Sequence, residues 1–227
     1  IATLLPSQVN YILTSQVTAV TTAQVYALDQ AQVGGLLSSQ IAVFSSANIA
    51  SLSSYQISAI VTKNIAALSI LQVSAFNPDA ISGLTQMQII SLSTEQFKAF
   101  TTAQIANLTS IQTPAVETAD IAVFTIAQIV SFTPSAVSGL PSDDIKALST
   151  EQFQAFTIAQ ISGLTVVQTP AVEPSDILVF TTSQVASFTS SAVSGLSTAN
   201  IKVLSTEQFQ AFTIAQISGL TSVQTPA

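Results

Sequence analysis

Residues Ser149–Thr165 read STEQFQAFTIAQISGLT, and residues Ser205–Thr221 repeat the same letters 56 positions later. The stretch holds two versions of one eight-residue unit, STEQFQAF and TIAQISGL, and the reading of that unit decides the fold. Cut after Leu4, the rest of the chain falls into octads without an insertion, among them TTAQVYAL (Thr21–Leu28) and TTAQIANL (Thr101–Leu108). The unit has Ser or Thr at position 1, Gln at 4, Ile or Val at 5, a small residue at 7 and Leu or Phe at 8. Position 8 is apolar in every complete octad, and position 5 is apolar except at Thr113, Thr169 and Thr225. All twelve Phe occupy position 5 or 8, whereas Tyr11, Tyr26 and Tyr55 lie elsewhere. That sorting separates a core from its surroundings.

One continuous helix does not fit the period. At about 100° per residue, an eight-residue step rotates the apolar pair by about 80° each time, so the stripe spirals and buries nothing. One long strand fails as well, because positions 5 and 8 have opposite parity. The chain must bend once per octad, with 5 and 8 as i,i+3 neighbours on one short helix. The flanking residues agree. Ser/Thr at 1 and Gln at 4 form a capping box. Pro6, Pro78, Pro134 and Pro174 stand at position 2, where a helix needs no N–H. Every Asp and Glu lies at 1, 3 or 4, and Lys98, Lys146 and Lys202 lie at 6, which complements a helix dipole. The small residue at 7, often Gly, is expected to let the chain turn and neighbouring backbones approach.

One octad cannot stand alone. Burying two large apolar side chains yields roughly 3–6 kcal/mol, while ordering eight residues costs on the order of 8–16 kcal/mol. The expected fold is therefore all-α, a solenoid of short capped helices, one per octad, stacked on a shared core. The alternative is a β-solenoid, in which Gln8, Gln16, Gln24 and their successors align as an amide ladder. Ala content, proline placement and charge polarity weigh against it.

The spacing of 56 is seven octads. STEQFKAF at Ser93 marks the same phase as Ser149 and Ser205, giving super-repeats at about 37–92, 93–148, 149–204 and 205–227 of a single array covering 1–227. In NPDAISGL, TPSAVSGL and TSSAVSGL, position 4 is Ala80, Ala136 and Ala192, the only places where an amide or acid is missing. QTPAV at Gln112 and Gln168, and QTPA at Gln224, put Pro114, Pro170 and Pro226 after a Thr, which is expected to restart the helix late or bend the stack. Duplication of a seven-octad block explains the long period. A sharper reading has every seventh octad facing one way, so that Ala80, Gly83, Ala136, Gly139, Ala192 and Gly195 line a shallow groove for an identical chain. The first octads are less regular, with Leu5, Leu13 and Leu37 at the cap.

Composition excludes several functions. With no Cys or His, nucleophilic triads, Cys–His pairs and the usual zinc ligands are lacking, so no catalytic, cofactor or metal site is expected. Four Lys and no Arg against a net charge of -7 offer no basic face to nucleic acid. No apolar run approaches the ~18 residues of a transmembrane span. Asp143-Asp144 in PSDDIKAL is the closest carboxylate pair and reads as first-turn acids, with Lys146 paired to Asp143 or solvated. Asn107-Leu108-Thr109 matches a glycosylation sequon, and Phe97, Phe153 and Phe209 read as core fillers. Because it begins at Ile1 and stops at TSVQTPA, the chain is expected to be a piece of a longer one.

Strings such as TTAQIANLTSIQ and FTIAQISGLT resemble the Thr-Ala-Gln-Ile-x-x-Leu tracts of large repetitive bacterial surface and type I secreted proteins, adhesin-like and RTX-like polypeptides among them. The glycine- and aspartate-rich nonapeptides that bind calcium in RTX proteins are missing, so no calcium role carries over. The resemblance implies an extracellular or cell-surface, structural setting. The expectation is a non-enzymatic segment of a fibre, stalk or surface layer that self-associates. The alternative is a solenoid that binds ice or polysaccharide through Ser/Thr rows at positions 1 and 2.

Overall fold

A computed structural model describes residues 3–225; Pro226 lies outside them. The described residues form twenty-four α-helices of four to six residues and three 3-10 segments, with no strand. The expected one-helix-per-octad architecture is what is observed. Within the opening stretch, Thr150–Gln154 and Ile158–Gly163 are helices. Thr157 caps the latter in an extended conformation (φ -70°, ψ 158°), and its hydroxyl accepts from the Gln160 N–H. Leu164 ends it, again extended (φ -66°, ψ 136°). At the corner before Thr150–Gln154, Leu148 (φ -63°, ψ 136°) and Ser149 (φ -72°, ψ 157°) are two extended residues in sequence. Where Leu replaces the hydroxyl residue, half of the box survives: the N–H groups of Leu5, Leu13 and Leu37 still donate to Gln8, Gln16 and Gln40 Oε1.

The corner corrects one expectation. No described residue has a positive φ, glycine included, so the glycines at position 7 are not there to turn the chain. They are there for close approach. A Cβ on Gly83 would collide with the Ser54 backbone, and one on Gly163 would lie 2.7 Å from the Pro134 carbonyl oxygen.

Contacts divide the chain into two compact units, one ending at Leu108 and one beginning at Thr109. The octad register runs through that boundary without an insertion, and the boundary does not coincide with the super-repeat edge at 92/93. Each unit is a stack of coils. In the first, Gln56 Nε2 donates to the carbonyls of Val25 and Leu28, 31 and 28 residues back (2.9 and 2.8 Å). In the second, Gln160 Nε2 makes the same pair with Ile129 and Phe132 (2.7 and 2.9 Å). The first half of an octad thus sits on the second half of the octad four back. Gly83 on Ser54 and Gly163 on Pro134 show the complementary contact, with the octad three back. One coil is therefore three and a half octads, laid like staggered bricks. Two coils take seven octads, so residues seven octads apart in one unit face the same way. The long period read from the sequence is the shortest one that restores both octad phase and face.

Positions 5 and 8 fill the interior. Ile57, Ile65, Ile89, Ile145 and Phe153 have no exposed surface. The Thr-Pro octads restart late, as expected: turns precede the 3-10 segments Thr113–Ala115 and Thr169–Ala171. The hydroxyl of Thr113, buried in the core, donates to the Ala136 carbonyl at 2.9 Å.

Candidate functional site

The polar chemistry of the molecule is concentrated at position 4. In each ordinary octad the Gln Oε1 accepts from the N–H of position 1, as Gln152 does from Ser149 (2.8 Å). Its Nε2 reaches into the preceding coil, Gln152 to Phe124 at 2.9 Å and Gln104 to Phe76 at 2.8 Å. A helix leaves its first N–H and last C=O groups unpaired, and burying them unpaired costs about 1–3 kcal/mol each. One buried amide answers both problems, closing the start of its own helix and the end of the helix beneath. The sequence identified the capping half. It did not reveal the second half, and the amides bond to carbonyls rather than to one another as a ladder.

Shorter side chains in the slot need help. Asn64 Nδ2 reaches one carbonyl, that of Leu36 (2.8 Å), while the Ser38 hydroxyl of the preceding coil donates to its Oδ1. Acids receive the same help. The Thr118 hydroxyl donates to Asp144 Oδ1 (2.8 Å) and the Thr150 hydroxyl to Asp176 Oδ1 (3.0 Å). Asp144 is buried and its Oδ2 has no hydrogen-bond partner. Its pKa is raised to about 6, chiefly by burial; the Thr118 hydroxyl opposes the rise, and Asp143 and Asp120 add to it. Burial likewise pushes Asp176 above the usual carboxylate range, against the Glu173 N–H and the Thr150 hydroxyl.

Asp143 and Asp144 do not share a site. Asp144 turns inward while Asp143 stays exposed, as adjacent residues on a helix do. Lys146 is exposed, and the ion pair found among the described residues is Lys98–Glu95 (2.8 Å). No group of three or more metal-capable side chains gathers among the described residues. Asn107 spends its Nδ2 on the Ala103 carbonyl (2.9 Å). Phe97 and Phe153 fill the core as read, but Phe209 is 41% exposed. No helix of the described residues is long and apolar enough to cross a membrane.

The six positions expected to line a groove for a second chain are placed differently. Ala80, Ala136 and Ala192 are buried in the slot. Gly83, Gly139 and Gly195 press on the backbone of Ser54, Ser110 and Val166 in the preceding coil. Position 7 lands on the start of the octad three back, so the missing Cβ serves coil packing inside the chain. Ala80 lines a cavity of about 250 Å³ together with Leu52, Asn77, Asp79 and Tyr26.

These octads can be compared with known proteins. Residues 193–222 match the family described as ALTTAQ repeat. Within that span Ala211–Gln216 reads AFTIAQ, and Ala19–Gln24 reads AVTTAQ. In structural terms the motif is a corner residue, a core residue, the cap, two first-turn residues and the amide. The chain is a helical repeat protein. None of the curated proteins matches it.

Proposed function

We propose that this chain is a structural, non-enzymatic repeat segment of an extracellular fibre, stalk or surface-layer protein, and that it associates laterally with identical chains. The supporting observation is the use made of position 4: its buried amides, and the hydroxyls paired with them, are spent on joining coil to coil. Such an arrangement gives length and stiffness rather than a reactive cleft. Ser/Thr rows are a poor basis for ice or polysaccharide binding, since position 1 hydroxyls cap helices and position 2 hydroxyls such as Ser38, Thr118 and Thr150 donate between coils.

Lateral association has a periodic surface to use. In the unit from Thr109, Ile111, Val167 and Val223 are 73%, 72% and 73% exposed, and successive members stand two coils apart. An apolar row with the spacing of the coils can match the same row on a second copy in register. Low charge leaves little repulsion to overcome. Sedimentation at rising concentration tests the assembly, with Ile111→Asp/Val167→Asp as the variant. Reversible association weakened by the variant supports it, and a monomer at all concentrations removes it. Electron microscopy of the native material with antibody labelling of intact cells tests the setting; label found only inside cells overturns it.

A further inference from the structure

We infer that the cavity at Ala80 is a carbohydrate subsite that takes one sugar ring. In this unit a position 4 Gln such as Gln88 donates to the carbonyls 31 and 28 residues back, Ile57 and Ile60, and the shorter Asn48 and Asn64 still reach the one 28 back. The corresponding carbonyls beneath Ala80 are those of Ile49 and Leu52. Alanine has no donor to offer them, and Ala80 and Leu52 both line the cavity. The octad above also departs from the rest: Pro78–Gly83 is a 3-10 segment, and Asn77 Oδ1 accepts from the Asp79 N–H (3.1 Å), which leaves its Nδ2 as a donor.

The lining residues bring the acceptor-only carboxylate of Asp79, the amide of Asn77, and the ring of Tyr26, which is 68% exposed. They also bring Ser51 and Ser53, whose hydroxyls donate to the Asn48 carbonyl and Gln56 Oε1 and keep acceptor capacity. That set fits a ligand with several hydroxyl donors on one edge and an apolar C–H face for Tyr26. A lone carboxylate with no cation in the lining rejects phosphates and carboxylates, and one acid falls short of the oxygen set a divalent cation requires. A volume of about 250 Å³ suits a single ring rather than a drug-sized ligand. The two sister positions argue that this chemistry is not a by-product of the repeat. Around Ala136 and Ala192 the residues matching Asn77 and Asp79 are Thr133 and Ser135, and Thr189 and Ser191. The same alanine is therefore present there without the amide and the acid.

This inference is independent of lateral assembly. It is tested by titrating the full chain, ¹⁵N-labelled, with methyl glucoside, methyl galactoside, methyl mannoside and N-acetylglucosamine. The expected result is saturable shifts confined to Ser51–Ser54 and Asn77–Ala80, with a dissociation constant on the order of 1 mM for at least one sugar. Ala80→Gln restores the amide, fills the cavity and should abolish binding without lowering stability. Asp79→Asn and Tyr26→Ala, both at exposed side chains, should each weaken binding about tenfold and keep the test intact if Ala80→Gln folds poorly. No saturable shift with any of the sugars, or binding that survives either Ala80→Gln or both exposed-site variants together, overturns the proposal.

Discussion

The two units share one architecture and the same Gln in most slots, and differ in what replaces it. Up to Leu108, the position 4 residues other than Gln are Asn48, Asn64 and Ala80. From Thr109 onward, Asp120, Asp144 and Asp176 join Ala136, Ala192 and Asn200. An amide brings its own donor to the carbonyl of the preceding coil. An ionised acid brings only acceptors, and by the register of Asn64 and Asn200 it faces the carbonyl 28 residues back. For Asp144 that carbonyl belongs to Val116. The Thr118 hydroxyl satisfies one carboxylate oxygen and leaves the other buried and bare. The slot thus tolerates any residue that fits, while the contribution of that residue to stability depends on whether it can donate.

The largest effect should come from deleting the amide altogether. Gln88→Ala in one unit and Gln160→Ala in the other each remove a cap and two carbonyl bonds and leave a void, at a cost of about 2–4 kcal/mol. Urea denaturation reads this, and a loss in one unit without the other would break the equivalence. Next, Asn64→Asp imports the acid into the first unit. A loss of about 1–3 kcal/mol at pH 7, shrinking at pH 4, is expected.

The reverse exchange, Asp144→Asn, should stabilise the second unit by about 1–2 kcal/mol at pH 7. Asn200, seven octads on at the same phase, already shows the outcome, donating to the Val172 carbonyl at 2.8 Å. The sign is fixed by the direction of the shift. Asp144 binds its proton more tightly folded (about 6) than unfolded (3.8), so stability rises as pH falls through that window. The neutral acid can then donate to a carbonyl as an amide does. Asp176 adds to this trend. Glu151 and Glu207 oppose it at lower pH: their own backbone N–H groups, and then the Ser149 and Ser205 hydroxyls, hold them below the usual range. Thermal melts between pH 7 and 4 should show the rise in the wild type and a flatter curve in Asp144→Asn. The smallest effect belongs to the surface. Lys98→Ala breaks the exposed Lys98–Glu95 pair and should cost less than about 0.5 kcal/mol.

Much of this was legible in the octad because the relations that make it are local. Capping joins residues three apart, and the core pair at 5 and 8 shares one helical face. Thr157, Gln160, Ile161 and Leu164 declare their roles within eight letters. The second bond of each amide was not legible, nor were the purpose of Gly83, the inward turn of Asp144 or the opening beside Ala80. Each depends on what lies a full coil away. That offset is the sum of three corners and a half-octad, and a small change in corner angle would have closed the coil at three octads or four, bringing different groups together. The sequence by itself determined the helical step and its buried face, since both follow from backbone hydrogen bonding at short range. Only the tertiary structure decided the pitch, and with it which carbonyl every buried side chain at position 4 must satisfy.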